Sequence, residues 1–194
     1  ETGIRGELAN TNISFDIALY SMWINSLLLP FQNENSDRTF FRNEGKSRHT
    51  GAEFVIESKL TNNISGLINY NWNLAEFRRG SLNGSSLDGN SIPGISPHRL
   101  FSELTYHFGK FTISGQIQHV DGFHPDSPND FRVENYTILN TKAAGNNFMI
   151  GSGTAAMEFS PFVALNNITD RTYSSSVSVN ARGNRFFEPG ADMN

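Results

Sequence analysis

Apolar and polar residues alternate along this chain in repeated stretches. From Thr50 to Leu60, Ala52, Phe54, Ile56 and Leu60 share one parity, and Glu53, Glu57 and Lys59 take the other. The run from Ile64 to Glu76 repeats the pattern, setting Ile64, Ile68, Tyr70, Trp72 and Leu74 against Ser65, Asn69, Asn71 and Asn73. A period of two places such sets on opposite faces of a β-strand. The pattern predicts strands over 1–8, 13–30, 38–60, 64–79, 97–108, 111–122, 133–144 and 154–169. The connections alternate as well. Segments 9–12, 61–63 and 109–110 are tight, and 145–153 is a modest Gly/Asn linker; 32–37, 80–96, 121–132 and the run after Asp170 are polar and mostly longer. The expected fold class is all-β, an antiparallel meander of about eight strands.

Two architectures fit such strands. A sandwich turns the apolar face inward, whereas a transmembrane barrel turns it to lipid and keeps the polar face in a wet lumen. Short turns at one end and long loops at the other favour part of a barrel. A tilted barrel strand needs roughly 9–11 residues to cross a bilayer. The strands at 13–30 and 38–60 exceed this and should project beyond it. Trp23, Phe31, Phe40 and Phe41 fall near one proposed interface, and Tyr106, Phe108 and Phe111 near the other, where amphipathic rings are favoured.

Composition narrows the choice a little. The chain has 194 residues, 37% hydrophobic and 12% aromatic, with a formal charge of −4. That mildly acidic balance, with no basic stripe, argues against a nucleic-acid partner. No apolar run is long enough for a transmembrane helix. The mean hydropathy of −0.39 fits either β architecture, because alternation averages out. Cysteine is absent, which excludes disulfides, thiolate metal sites and Cys nucleophiles.

Three strings resemble the C-terminal part of the barrel of TonB-dependent outer-membrane receptors. The first runs from Arg42 to Glu53 and carries Gly45, Arg48, Gly51 and Glu53 in the spacing N-x-G-x-[SA]-R-x-x-G-x-E. The second runs from Ile92 to Leu100, where Pro93, Gly94, His98 and Arg99 resemble the entry into a descending strand. The third runs from Ser160 to Tyr173, with Asn167, Asp170 and Tyr173 similar to a near-terminal N-L-F-D-x-x-Y segment, Ile-Thr replacing Leu-Phe. The resemblance implies a barrel of about 22 strands with an N-terminal plug domain. It implies import of a scarce nutrient such as an iron chelate, haem or cobalamin, driven by the inner-membrane TonB complex. A ferric siderophore is the expected substrate. The implied partners are outer-membrane lipid and lipopolysaccharide, the plug and the remaining barrel strands, the TonB complex and a small-molecule metal chelate. No cofactor is implied. Because Glu1 to Leu8 already reads as a strand, the chain is expected to be part of a larger barrel, without plug, TonB box or last strand.

Candidate chemistry is sparse. Arg5, Glu7, Arg48, Glu53, Glu57 and Lys59 read as lumen-side charges forming cross-strand pairs. His119, Asp121, His124, Asp126 and Asp130 form the densest metal-like set, but without a recognised ligand spacing they read better as a solvated loop. Arg78, Arg79 and Arg132, with Phe77, Phe123, Phe131 and His124, suggest an external basic and aromatic patch suited to a chelate anion, or to lipid phosphates. No G-x-S-x-G elbow or phosphate loop is present, so no enzyme is expected. Two alternatives remain open. One is a soluble carbohydrate-binding module using Trp23, Tyr70 and Trp72 as a stacking platform, which requires the apolar face to pack on a second sheet. The other is a self-contained eight-stranded surface barrel, which requires strand 1–8 to pair with strand 154–169.

Overall fold

The computed structural model describes residues 1–32, 39–153, 156–181, 183 and 185–193. Loop 33–38 and the side chain of Phe31 lie outside the described residues. The chain forms β1 (Thr2–Glu7), β2 (Ile13–Gln32), β3 (Thr39–Lys59), β4 (Ile64–Arg79), β5 (Ser81–Leu82), β6 (Ser85–Ser86), β7 (His98–Phe108) and β8 (Phe111–Val120). It continues with β9 (Tyr136–Gly145), β10 (Phe148–Ile150), β11 (Met157–Phe159), β12 (Phe162–Leu165), β13 (Ser174–Val177) and β14 (Phe187–Pro189). Eight of these make one antiparallel sheet in the order β1-β2-β3-β4-β7-β8-β9-β12. The rest form three small hairpins, β5-β6, β10-β11 and β13-β14.

Register carries the alternation across the sheet. One row joins Phe15, Ile56, Ile68, Ser102, Ile117 and Leu139; another joins Ile4, Ile17, Phe54, Tyr70 and Leu100. The opposite face carries Asp16, Glu53, Glu57, Asn69, Asn71, Asn73, Arg99, Glu103, Gln116 and Gln118. The hollows of the sheet lie on the polar face. A hollow of about 460 Å³ is lined by Glu7, Ser14, Glu57, Ser65 and Glu103, from five neighbouring strands. On the other face no second sheet covers the apolar residues among those described: Ile4 is 62% exposed, Leu104 55% and Ile68 46%. The packing that a sandwich module requires is therefore not formed. Nor do β1 and β12 pair; they are the two edges of the sheet, so these eight strands do not close on themselves.

The eighth predicted strand is corrected by the structure. Residues 154 and 155 lie outside the described residues, and 156–169 do not run through the sheet as one element. Pro161 cannot donate to a ladder, and the segment divides into β11, which pairs with β10, and β12, which pairs with β9. The supposed 145–153 linker thus supplies one arm of a hairpin. Phe148 and Phe159 face each other in it and extend an aromatic file through Phe111, Phe108 and Tyr106, with centroid spacings of 5.5–5.6 Å.

Candidate functional site

At the loop end the polar face is covered rather than open. Phe77 is 2% exposed and packs with Leu29 and Leu87, bringing segment 80–96 back over the sheet. Backbone bonds hold it there: Phe77 N–H donates to the Asn90 carbonyl (2.8 Å) and Ile92 N–H to that of Ala75 (2.9 Å). Segment 121–135 joins this cap through side-chain amides. Asn90 Nδ2 donates to the carbonyls of Ser127 and Pro128, and Ser91 N–H donates to Asn129 Oδ1 at 2.7 Å. The third segment is tied in by Asn180, whose Oδ1 accepts from Ser127 N–H at 2.9 Å, and by Phe186, which packs at a tilt against Phe131. Asn129, Asn167 and Asn180 all adopt positive φ, which asparagine tolerates better than most residues.

Beneath this cap lies a cavity of about 920 Å³. Its sheet wall is Asn69, Asn71, Asn73, Arg99, Phe101 and Gln118; its roof includes Gly94, Phe123, Ser174 and Val179. Asn71 Nδ2 donates to Glu53 Oε1 at 3.2 Å, so the acid of the first motif sits at the edge of this amide ladder. Asn73 Oδ1 is buried without a hydrogen-bond partner. Tyr136 borders the cavity and packs at a tilt against Tyr173, with 4.6 Å between centroids. The wall therefore offers amide donors and acceptors, one guanidinium and aromatic surface. Such a wall offers hydrogen-bond partners of the kind that suit polar, oxygen-rich ligands.

The predicted motif residues have distinct placements. Gly51 lies under the Tyr20 ring, and a Cβ there would meet both that ring and the Trp72 carbonyl. Gly45 packs against Leu27 and Leu29. Gly94, with φ +80°, follows Pro93 and passes Val179 so closely that a Cβ would clash. His98 is on the apolar face, its Nδ1 2.8 Å from the Tyr70 hydroxyl. Asn167 is 1% exposed: its Nδ2 donates to the carbonyls of Arg171 and Ala191, and its Oδ1 accepts from Arg171 N–H. Asp170 Oδ1 accepts from Met193 N–H, and Gly190 packs on Tyr173. The third motif thus fastens the terminal segment to the loop end.

Several groupings made from the sequence come apart. Arg48 does not join the lumen-side charges. It lies in register with Trp23 and Glu76, on the apolar face and five residues out of phase with Glu53. Arg5 does pair on the polar face, with Asp16 at 2.5 Å. The metal-like set does not converge, and no group of three such residues is placed to hold an ion among the described residues. His119 points to Thr137 on the apolar face (2.7 Å), and Asp121 caps Gly122 N–H. His124 Nδ1 donates to the Phe131 carbonyl, and buried Asp126 accepts from the N–H groups of Asp130 and Phe131. The basic and aromatic patch is not one patch either. Arg78 pairs with Glu76 at 3.0 Å, and Arg79 pairs with Lys46 beyond a bulge. Phe123 lines the cavity, while Arg132 lines a separate groove with Arg171 and Glu188. Sequence reasoning missed Asn90, Asn129, Asn180 and Tyr136. Their contacts join distant segments, and no periodic pattern marks them.

Comparison with known proteins places this architecture. The model of the TonB dependent receptor-like β-barrel matches residues 1–168. The ferrioxamine receptor of Yersinia enterocolitica is 24% identical over 179 residues, 89% of this chain and 23% of that receptor. The siderophore receptor PiuA from Acinetobacter baumannii superposes with a TM-score of 0.75 at 15% identity, covering 98% of this chain and 26% of that one. The ferric citrate transporter FecA, unliganded, gives a TM-score of 0.76 at 20% identity, with 98% and 29% covered. The chain thus spans about a quarter of the length of these relatives. The structural likenesses show a shared fold, and the match over 1–168 shows that the chain belongs to the TonB-dependent receptor β-barrel family.

Proposed function

We propose that this chain is the C-terminal portion of the barrel of a TonB-dependent receptor in the outer membrane of a Gram-negative bacterium. The whole receptor takes up a ferric siderophore or related iron chelate, with energy delivered by the TonB complex. One observation carries this reading: large apolar side chains stand bare on one face of the sheet, while the other face is polar and holds a cavity beneath the cap. Hydrocarbon stabilises the first face and enclosed water the second. On this reading the turn end is periplasmic and the capped end faces outside. The unpaired edges β1 and β12 meet further strands of the same barrel, and the hollow around Glu57 and Glu103 faces the plug. The chelate contacts Arg99, Asn71, Asn73, Gln118 and Phe123. Relatives named as ferrioxamine and siderophore receptors support the substrate class.

The test is uptake of radiolabelled ferric chelates by cells carrying the full-length receptor as their only such importer. Uptake of at least one chelate that stops when the proton gradient is collapsed is the expected result. Uptake indifferent to the gradient, or a receptor recovered in the soluble fraction, overturns the reading.

A further inference from the structure

The roof of the cavity is joined to the wall by main chain as well as by side chains. Where the β7 ladder leaves β4, segment 80–96 takes its place. Glu76 and Ser91 form an antiparallel bridge, flanked by the bonds from Phe77 N–H to Asn90 and from Ile92 N–H to Ala75. Further backbone bonds run from segment to segment: Gly94 N–H donates to the His124 carbonyl, and Asn180 N–H to that of Pro125, both at 2.9 Å. Two asparagines complete the weave. Asn129 and Ser91 are reciprocal partners, Asn129 Oδ1 accepting from Ser91 N–H (2.7 Å) and Nδ2 donating to the Ser91 carbonyl (3.1 Å). Asn180 Oδ1 accepts from both the N–H and the hydroxyl of Ser127.

A loop that swings open for a ligand is drawn from the least stable parts of a fold, with few buried contacts and exposed backbone bonds. This cap has the opposite character. Leu87 and Pro125 are fully buried, Ser127 is 2% exposed, and Val133 and Phe186 are each 3% exposed. Lifting the cap would break these bonds and uncover that core together. The cavity has another way in. Its lining comes from the sheet and the roof, so the side away from the sheet is left unclosed among the described residues.

We infer that segments 80–96 and 121–135 and the stretch around Asn180 are a fixed wall of the binding site, beneath which the chelate enters from the side away from the sheet. Asn129 and Asn180 are its positioning residues. Neither lines the cavity; each acts through the roof it holds, Asn129 through the segment that carries Gly94, Asn180 through its neighbour Val179. The inference rests on the chelate-uptake reading above.

The test is a reversible lock in the full-length receptor. Glu76 and Ser91 are a non-hydrogen-bonded pair, whose Cα atoms lie about 4.5 Å apart, within disulfide reach. This chain has no cysteine of its own. The double variant Glu76→Cys, Ser91→Cys should oxidise and tie segment 80–96 to β4, and uptake of radiolabelled chelate should be the same before and after reduction. Asn129 and Asn180 have φ of 64° and 51°. Glycine at both positions keeps that backbone and removes the amides. The double variant Asn129→Gly, Asn180→Gly should raise the half-saturating chelate concentration about tenfold at an unchanged maximal rate. Asn129→Asp keeps the acceptor for Ser91 N–H and should recover part of that loss. Uptake that stops on oxidation and returns on reduction overturns the inference. So does a cysteine pair that stays reduced, or a glycine variant that lowers only the maximal rate or changes nothing. Wild-type uptake indifferent to the proton gradient overturns the importer reading and this one together; gradient-driven uptake blocked by the lock overturns this one alone.

Discussion

Strand β4 meets two environments along its length. From Ile64 to Trp72 it is joined to β3 and β7 by backbone ladders, and Ile68 on its apolar face is 46% exposed. Beyond Trp72 the β7 ladder ends, and by Phe77 the strand is buried beneath segment 80–96. The wall is regular and nearly coreless; the loop end is irregular and holds most of the buried side chains, including Leu29, Phe77, Leu87, Val133 and Phe186. The difference teaches where this molecule keeps its water-driven stability. Burial from water holds the cap, whereas the wall's apolar face is left uncovered among the described residues and, on the proposed reading, is stabilised by lipid.

Substitutions can break that contrast. Phe77→Ala should cost about 3–5 kcal/mol and release hydrogen-exchange protection over 80–96, leaving amides of β8 and β9 protected. Asn167→Ala strands the Arg171 N–H and two carbonyls and forces positive φ on alanine. A loss of about 3 kcal/mol is expected, read as protease cleavage within 171–193. Leu104→Arg should lower stability in a bilayer by about 2–4 kcal/mol, measured by urea titration in vesicles. A surface leucine on a water-soluble module would change by only about 0.5 kcal/mol, so a small effect contradicts lipid exposure. Gly51→Ala, pressed against Tyr20 and the Trp72 carbonyl, should cost about 1–3 kcal/mol in the same titration. Asn71→Arg, on the wet face beside Glu53, should stay within about 0.5 kcal/mol.

The wall was legible in the sequence because period two and tight turns are local signals, and seven of the eight strands stand close to their predicted bounds. The eighth failed at Pro161, where a donor is missing from an otherwise apolar run. Arg48 was misplaced because its charge was weighed above its parity. The cap was illegible for another reason. Asn90, Asn129 and Asn180 act across 37 to 53 residues of chain, and in the sequence they look like ordinary turn residues.

The unpaired margins of the sheet have a consequence for handling this polypeptide by itself. Each presents a row of amide hydrogens and carbonyls that will accept any extended chain in phase. Along β1, an adjoining strand has to set apolar residues beside Ile4 and hydrophilic ones beside Arg5 and Glu7. A second molecule's own free margin offers such a chain, so expression of these residues in isolation should yield edge-to-edge aggregates rather than dispersed monomers.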